Sequence, residues 1–501
     1  MNNKRKTFTK FIRLTSSSLL LLNSFSFAEE LTWHEIAYRV IKNNSALKVN
    51  RFNPKLKKET IDIAKSEFSP QLRATTQVTE SNGKGDLEVT TPATTSTFDN
   101  KDQNGSLNLN LSKKLNYGTQ VQITGQIQRS DSDLDSQNIS FNGKDNFNSF
   151  SIGIEQPLLD GRGKHIQETS IQQSNLEYAI STFELSAFAE TLVYNSLLHA
   201  LDLYAQIQTI DTIKNSIQLE QEELKHIKLK IKHGRLTKID QLASEASLAT
   251  RQQELSIWET KKEHSRLNLV HSFMPNTNDL WEMDISFPTY TIPTWASTQI
   301  LELHLSSALK NRSDLQQSQR LLKHNNLSLN FSQNKLLPKL NFFTDIGYQD
   351  YQRRDAFNAI DTKGDGFRYQ AGLSLELALS RKKEKALHQQ ASFTKQQTLE
   401  SIKNLEGIIY RDIHKAFKNI KSFESQIKAT KSITQLRHQI LKDELLKRDL
   451  GNTTCLDVQR ARNEYLESQK NEIETRINEF KARLLLFYRD GSLLSRLNMK
   501  I

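Results

Sequence analysis

Two long tracts with helical periodicity and no proline most constrain what this chain can fold into. They run from about residue 164 to 233 and from about 381 to 449. Apolar residues recur along them at spacings of three and four, as at Ile210, Ile213 and Ile217. At about 1.5 Å per residue, each helix would span roughly 100 Å, which exceeds the depth of an ordinary domain core. The 501 residues are 25% charged and include only 17 glycines and 8 prolines, a composition that suits long exposed helices.

Each long tract ends at a glycine, and a new helical tract begins a few residues later. The two restarts share a glycine, a threonine three residues on and an aspartate six residues on: Gly234, Thr237 and Asp240, then Gly451, Thr454 and Asp457. Thr-x-x-Asp is a capping box, in which threonine and aspartate side chains satisfy backbone N–H groups of the new helix. The sequence therefore predicts two antiparallel helical hairpins. It leaves open whether the aspartates only cap their helices or also form a ring of carboxylates.

Between the helical tracts, the chain alternates polar and apolar residues with a period of two. The clearest segments are SLNLNLS (106–112), TQVQITGQIQ (119–128), SFSIGIE (149–155) and GLSLELALS (372–380). This pattern predicts strands with one apolar and one polar face. By itself it fits either a soluble sandwich or an outer-membrane barrel. The long polar segments that flank the strands favour the barrel, as does the N-terminus of the chain.

The N-terminus has the form of a secretory signal over residues 1–28. A basic region precedes a short apolar run, and a small-residue cleavage pattern ends at Ala28. The segment carries five basic and no acidic residues, so its removal lowers the formal net charge from +11 to +6, which is too mild to indicate nucleic-acid binding. The single cysteine, Cys455, permits no intrachain disulfide. No later run reaches the length of a transmembrane helix.

The chain also has the pattern of a duplication. IKNNSAL (41–47) matches LKNRSDL (309–315) at an offset of 268, whereas Gly234 matches Gly451 at an offset of 217. The first half therefore has about fifty extra residues between its strands. We expect them to form an added hairpin with its turn at residues 116–118, which enters the predicted barrel or folds beside it.

These features together resemble the TolC family of outer-membrane efflux proteins. The signal, the two repeats of helix, strands and hairpin, the run QPLLDGRG (156–163) and the paired glycine-to-aspartate turns carry the resemblance from about Glu30 to Asp490. It implies an α+β membrane protein in which an outer-membrane β-barrel continues into a long periplasmic α-helical barrel. The resemblance also implies a homotrimer built from two tandem repeats per chain.

The corresponding division of the chain has five parts. We expect a signal peptide (1–28), a first repeat (29–274, with strands at about 70–156 and a hairpin at about 164–273), a linker or equatorial segment (275–300), a second repeat (301–490, with strands at about 340–378 and a hairpin at about 381–489) and a C-terminal tail (491–501).

In the family, the two turns form the periplasmic tip, so the resemblance makes Asp240 and Asp457 gate residues and exposes Cys455 at the open end. The carboxylate, tyrosine and arginine that close the tip in the family are not carried over, because the corresponding positions hold Arg460, Arg448 and Thr453. Next to the first turn, a basic collar is either a solvated helix face or a contact for an acidic adaptor: Lys228, Lys232, Arg235 and Lys238.

The function implied is an exit duct in the outer membrane for a tripartite efflux or type I secretion system. Its expected partners are two further copies of the chain, a periplasmic adaptor (membrane fusion protein), an inner-membrane transporter of RND, ABC or MFS type and outer-membrane lipid, with no nucleic acid. No catalytic motif is present, so neither an enzyme nor a cofactor nor a metal site is expected. A periplasmic adaptor subunit and a coiled-coil surface protein or adhesin are the alternatives.

Overall fold

The computed structural model describes residues 29–90, 93–136, 139–234, 236–273, 284–287, 300–355 and 360–500. The expected signal segment, most of the expected linker and the collar residue Arg235 lie outside the described residues.

Helices make up most of the described chain. In chain order they are α1 (Trp33–Asn43), α2 (Ser45–Asn50), α3 (Phe52–Ser66), α4 (Lys164–Gln167), α5 (Thr169–Lys232), α6 (Lys238–Phe273), α7 (Leu301–Asn311), α8 (Ser313–Asn334), α9 (Lys382–Asp449), α10 (Cys455–Arg489) and α11 (Leu493–Arg496). The helices α5 and α9 have 64 and 68 residues, so each is roughly 100 Å long. Among the described helices, none combines the length and the apolar character needed to cross a membrane.

Strands form one large sheet and one small one. They are β1 (Glu29–Glu30), β2 (Gln71–Thr90), β3 (Ala93–Lys114), β4 (Gln120–Ser136), β5 (Ile139–Pro157), β6 (Ile285–Ser286), β7 (Lys339–Asp355) and β8 (Ile360–Glu376). The large sheet has the order β2-β3-β4-β5-β7-β8, with every neighbouring pair antiparallel. The small sheet pairs β1 with β6 in parallel.

The two faces of the large sheet differ in polarity. Residues paired directly across antiparallel strands share a face, and one such row crosses all six strands: Leu72, Leu111, Ile123, Ile152, Ile346 and Tyr369. The adjacent row on the other face is mostly polar: Arg73, Asn110, Thr124, Ser151, Gly347 and Arg368. We call the apolar zone on the first face the apolar band; on β8 it extends over nine residues, from Phe367 to Leu375.

Beyond the apolar band, toward the loops between β2 and β3 and between β4 and β5, the same face becomes charged. Lys101 lies 3.2 Å from Glu80, and Lys144 lies 3.5 Å from Asp131. The six strands have 17 to 22 residues each, so they continue well past the band.

Two expectations about the strands can be compared with this sheet. The turn expected at residues 116–118 is present between the paired strands β3 and β4, with Gly118 at a φ of +94°. Both strands lie in the interior of the sheet, so the added hairpin enters it. The strand region expected to end at about residue 378 ends at Glu376, and Leu379 beyond it is 96% exposed. The alternation of polar and apolar residues continues in the sequence to residue 380, but residues 377–380 do not belong to a strand.

The long helices lie side by side in two levels. Next to the sheet, α3 packs against α5, α5 against α8, and α8 against α9. Farther from it, α6 packs against α5, α5 against α10, and α10 against α9. The main core lies where α1, α5, α6 and α10 meet, and its largest buried side chains include Phe480, Phe487, Leu197 and Leu201. The helix α5 therefore runs through both levels and connects them.

A cluster of buried polar groups, which we call the equatorial cluster, lies where α10 ends. His304 Nδ1 and Asp490 Oδ2 are 2.6 Å apart, and both side chains are 1% exposed. Glu190 of α5 is 8% exposed, and its Oε1 atom has no hydrogen-bond partner among the described residues. Burial raises the pKa of Glu190 to about 8, against the opposing effects of the Leu493 backbone N–H and of the Arg312 guanidinium. Glu190 is therefore held largely protonated at neutral pH.

Candidate functional site at the hairpin ends

The two turns that end α5 and α9 both need a glycine. Gly234 has a φ of +70° and Gly451 a φ of +80°. An L-residue with a side chain is strained in this left-handed region, which is why helices often end at glycine. A glycine in the left-handed conformation therefore ends the long helix in both halves of the chain.

The first restart is a capping interaction between Thr237 and Asp240. The backbone N–H and the hydroxyl of Thr237 donate to Asp240 Oδ2 at 2.9 and 2.7 Å, and the Asp240 N–H donates to Thr237 Oγ1 at 3.4 Å. These hydrogen bonds lower the pKa of Asp240, and the bond from the Thr237 hydroxyl has the largest effect. Asp240 is therefore ionised at neutral pH.

The second restart repeats this geometry with Thr454 and Asp457. The Thr454 hydroxyl donates to Asp457 Oδ2 at 2.7 Å, and the Asp457 N–H donates to Thr454 Oγ1 at 3.3 Å. The backbone N–H of Thr454 and the Thr453 hydroxyl also donate to Asp457 Oδ2, each at 3.3 Å. Hydrogen bonds from Thr454 are the main reason that the pKa of Asp457 is lowered. The capping box predicted from the sequence is confirmed at this turn.

The expectation that Cys455 is reachable at the open end is wrong. Its side chain is 5% exposed, because the first turn of α10 lies against the start of α6. The Cys455 thiol lies beside the carboxylate of Asp240, close enough for the two groups to affect each other's pKa. Burial, followed by the charge of Asp240, raises the pKa of the thiol. This contact joins the ends of the two hairpins.

The predicted basic collar is partly neutralised by acids from other segments. Lys228 of the collar lies 3.1 Å from Glu245 of α6, and the neighbouring Lys230, which is not part of the collar, lies 3.1 Å from Asp449 of α9. Lys232 and Lys238 are exposed. The structure therefore leaves a narrower basic surface than the sequence indicates, and whether a partner binds it stays a prediction.

Sequence reasoning missed an ionic cluster that joins the hairpins slightly farther from the turns. Glu223 of α5 accepts a hydrogen bond from Arg448 of α9 and lies 3.9 Å from Arg462 of α10. All three side chains are largely buried, at 11 to 16% exposure. Because α5, α9 and α10 each contribute one charged group, Glu223 holds three helices together.

A second set of charges continues this ionic cluster toward the sheet. Arg251 of α6 lies 3.6 Å from Glu220 and 2.8 Å from Glu254, and Lys470 of α10 lies 2.5 Å from Glu254. Burial raises the pKa of Glu220, although the Arg251 guanidinium opposes the effect. The signal for these contacts in the sequence is that Glu220 follows Ile213 and Ser216 on the buried face of α5, where an apolar residue is usual.

Comparisons with known protein families and solved structures show what this chain is similar to. Residues 304–484 match the sequence model of a family described as outer membrane efflux protein. Comparison with curated protein sequences gave no match.

Solved structures match over nearly the whole chain. A membrane protein from Pseudomonas aeruginosa has a TM-score of 0.66 at 13% identity, covering 93% of this chain and 95% of its own. The CmeC outer membrane channel of Campylobacter jejuni has a TM-score of 0.65 at 13% identity, covering 92% and 86%. The outer membrane protein VceC of Vibrio cholerae has a TM-score of 0.65 at 13% identity, covering 92% and 96%. The family match over residues 304–484 and the fold shared with outer-membrane channels together confirm the resemblance to the TolC family of outer-membrane efflux proteins.

Proposed function

We propose that this protein is the outer-membrane exit duct of a tripartite efflux or type I secretion system and works as a homotrimer. The observation that carries the proposal is the six-stranded sheet with one apolar and one polar face, placed at the end of helices roughly 100 Å long. A membrane barrel needs an apolar outer face, and a duct across the periplasm needs a long shaft.

The apolar band has the height of a membrane-spanning strand. A tilted transmembrane strand requires about 9–11 residues, and the band on β8 extends over nine, from Phe367 to Leu375. The polar face would line the lumen. Since an open sheet edge is not tolerated in lipid, β2 and β8 require partners. Strand β8 of one copy pairing with β2 of the next supplies them.

The edges of the helical levels support the same head-to-tail assembly. The edge helix α3 exposes Phe52, Leu56 and Ile63, which lie on one face of the helix. At the opposite edge, α9 exposes Leu387 and Phe393. Sheet and helices therefore have first-half elements at one edge and second-half elements at the other. Such heterologous contacts form a closed ring when the rotation closes.

The added hairpin makes the sheet and the helices match in width. Six strands about 4.8 Å apart and tilted by about 40° cover an arc of about 38 Å. Four helices spaced about 10 Å apart cover about 40 Å. Three copies would supply eighteen strands, and barrels of about 16–18 strands leave an aqueous channel. The duct would then continue from shaft to barrel without a step.

At the other end of the shaft, the hairpin turns are the proposed periplasmic tip. Asp240 and Asp457 are ionised caps of α6 and α10, and in a trimer they would add six carboxylates near the opening. The exposed Lys232 and Lys238 beside them are the proposed contact for a periplasmic adaptor. The adaptor would connect the duct to an inner-membrane transporter of RND, ABC or MFS type. The division into two tandem repeats is part of this proposal.

The test is assembly and conductance of the purified full chain. We expect a trimer in detergent by light scattering coupled to size-exclusion chromatography, and ion conduction in a planar bilayer. A monodisperse monomer with full β content would overturn the trimer. A protein that fractionates outside the outer membrane and conducts no ions would instead favour a periplasmic adaptor or a surface coiled coil.

A further inference from the structure

The apolar band contains an open notch centred on Gly125 of β4. In the register of the sheet, Gly125 lies between Leu109 of β3 and Phe150 of β5. A Cβ atom at Gly125 would meet nothing within 4 Å. A cavity of about 400 Å³ opens over this position, and its walls are mainly side chains of the apolar face: Leu107, Leu109, Ile127, Phe150 and Tyr348.

The notch is apolar at one end and polar at the other. Its polar end is formed by Asn148 and Asp350, which lie in the same row as Ile127. The Asn148 amide donates to Asp350 Oδ2 at 3.4 Å. Arg129 is the next residue on this face of β4 beyond Ile127, and its side chain is exposed. The notch therefore begins in the apolar band and ends where charges appear.

The size and polarity of the notch fit the end of an amphiphile. An apolar cavity of about 150 Å³ accepts a benzene molecule, so about 400 Å³ accepts a segment of hydrocarbon chain. At the polar end, Arg129 offers a cation and Asp350 an anion, two strands and two residues apart, or about 12 Å between their backbones. A headgroup with both a phosphate and an ammonium group is complementary to this pair.

We propose that the notch binds one acyl chain of a zwitterionic phospholipid, with the phosphate at Arg129 and the ammonium group at Asp350. This inference rests on the proposed function, since the apolar band must face lipid. One lipid binds per chain, on the outer surface of the barrel and away from the duct.

Native mass spectrometry of the full chain in detergent, titrated with palmitoyl-oleoyl-phosphatidylethanolamine, tests the proposal. We expect the wild type to saturate at one lipid per chain and to bind this lipid more tightly than the anionic phosphatidylglycerol. Gly125→Leu fills the notch. Losing contact with two methylene groups weakens binding by about tenfold, so we expect at least this loss.

The matched control is Ala371→Leu, which adds bulk to an exposed position on the same apolar face but outside the notch. It should bind the lipid as the wild type does. If Gly125→Leu and Ala371→Leu bind the lipid equally well, the notch is not the binding site. If the wild type binds both lipids with equal affinity, the assignment of the headgroup is wrong. The same spectra report whether trimers form, so failure of the proposed assembly is distinguishable from failure of the lipid site.

Discussion

The equatorial cluster predicts that Glu190 makes the protein less stable as the pH rises. The carboxyl group is 8% exposed, and burial raises its pKa to about 8 from an ordinary value of 4.5. In the folded chain Glu190 keeps its proton up to about pH 8, whereas in the unfolded chain it loses the proton near pH 4.5. The folded state therefore binds more protons between these values, and the free energy of unfolding falls as the pH rises through this window.

The size of the effect follows from the shift in the pKa. Each pKa unit corresponds to about 1.4 kcal/mol, so the full difference is about 5 kcal/mol per chain. Glu190→Gln keeps the shape and the acceptor oxygen but cannot ionise. The variant should match the wild type in stability near pH 5 and be more stable near pH 8.

Differential scanning calorimetry of both proteins in detergent at pH 5 and pH 8 measures this difference. The control is Glu184→Gln, which changes an exposed carboxyl on the same helix. We expect the stability of this control relative to the wild type to be the same at both pH values. If the difference in stability between Glu190→Gln and the wild type is also the same at both pH values, the claim that buried Glu190 is protonated at neutral pH is refuted.

Three further predictions concern the hairpin ends. Replacing both Asp240 and Asp457 by asparagine should leave the melting temperature nearly unchanged but weaken the block of the conductance by polyvalent cations. Replacing both by alanine should also lower the stability by about 1 kcal/mol per cap. If the asparagine variant is blocked as strongly as the wild type, capping is the only role of the two aspartates. Cys455 should react with a maleimide far faster after unfolding than in the native protein, and rapid native labelling would contradict its burial. Glu223→Gln removes the carboxylate that faces Arg448, so thermal unfolding should report a loss of about 3 kcal/mol; wild-type stability would mean that the ionic cluster contributes little.

The helices and the apolar band could be predicted because their signals are local. Periodicity gave the long helices, and Gly234 and Gly451 marked their ends through a backbone conformation that other residues avoid. The extensions of the strands beyond the band gave no such signal. In segments such as 99–104, which belong to β3, both faces are polar, so the period-two contrast disappears.

Contacts between distant segments were beyond the sequence reasoning. The family resemblance, which places this turn at the open end of the shaft, predicts an exposed Cys455, but the start of α6 packs against it. Glu223 and Arg448 are 225 residues apart, so no local pattern pairs them. The capping at Thr454 and Asp457 could be predicted because the two residues are only three positions apart, so a local pattern pairs them.

If the chain is exported as proposed, the strand order also determines when it can complete its sheet. Strand β5 pairs with β7, and the paired residues Asn148 and Asp350 are 202 positions apart in a stretch of sequence that includes the whole first hairpin. Closing so long a loop is slow, because the entropy of the intervening chain is lost before the contact forms. The first four strands therefore emerge with an exposed apolar face and no final partner. We expect this protein to depend on a periplasmic holding chaperone until its second half has crossed the inner membrane.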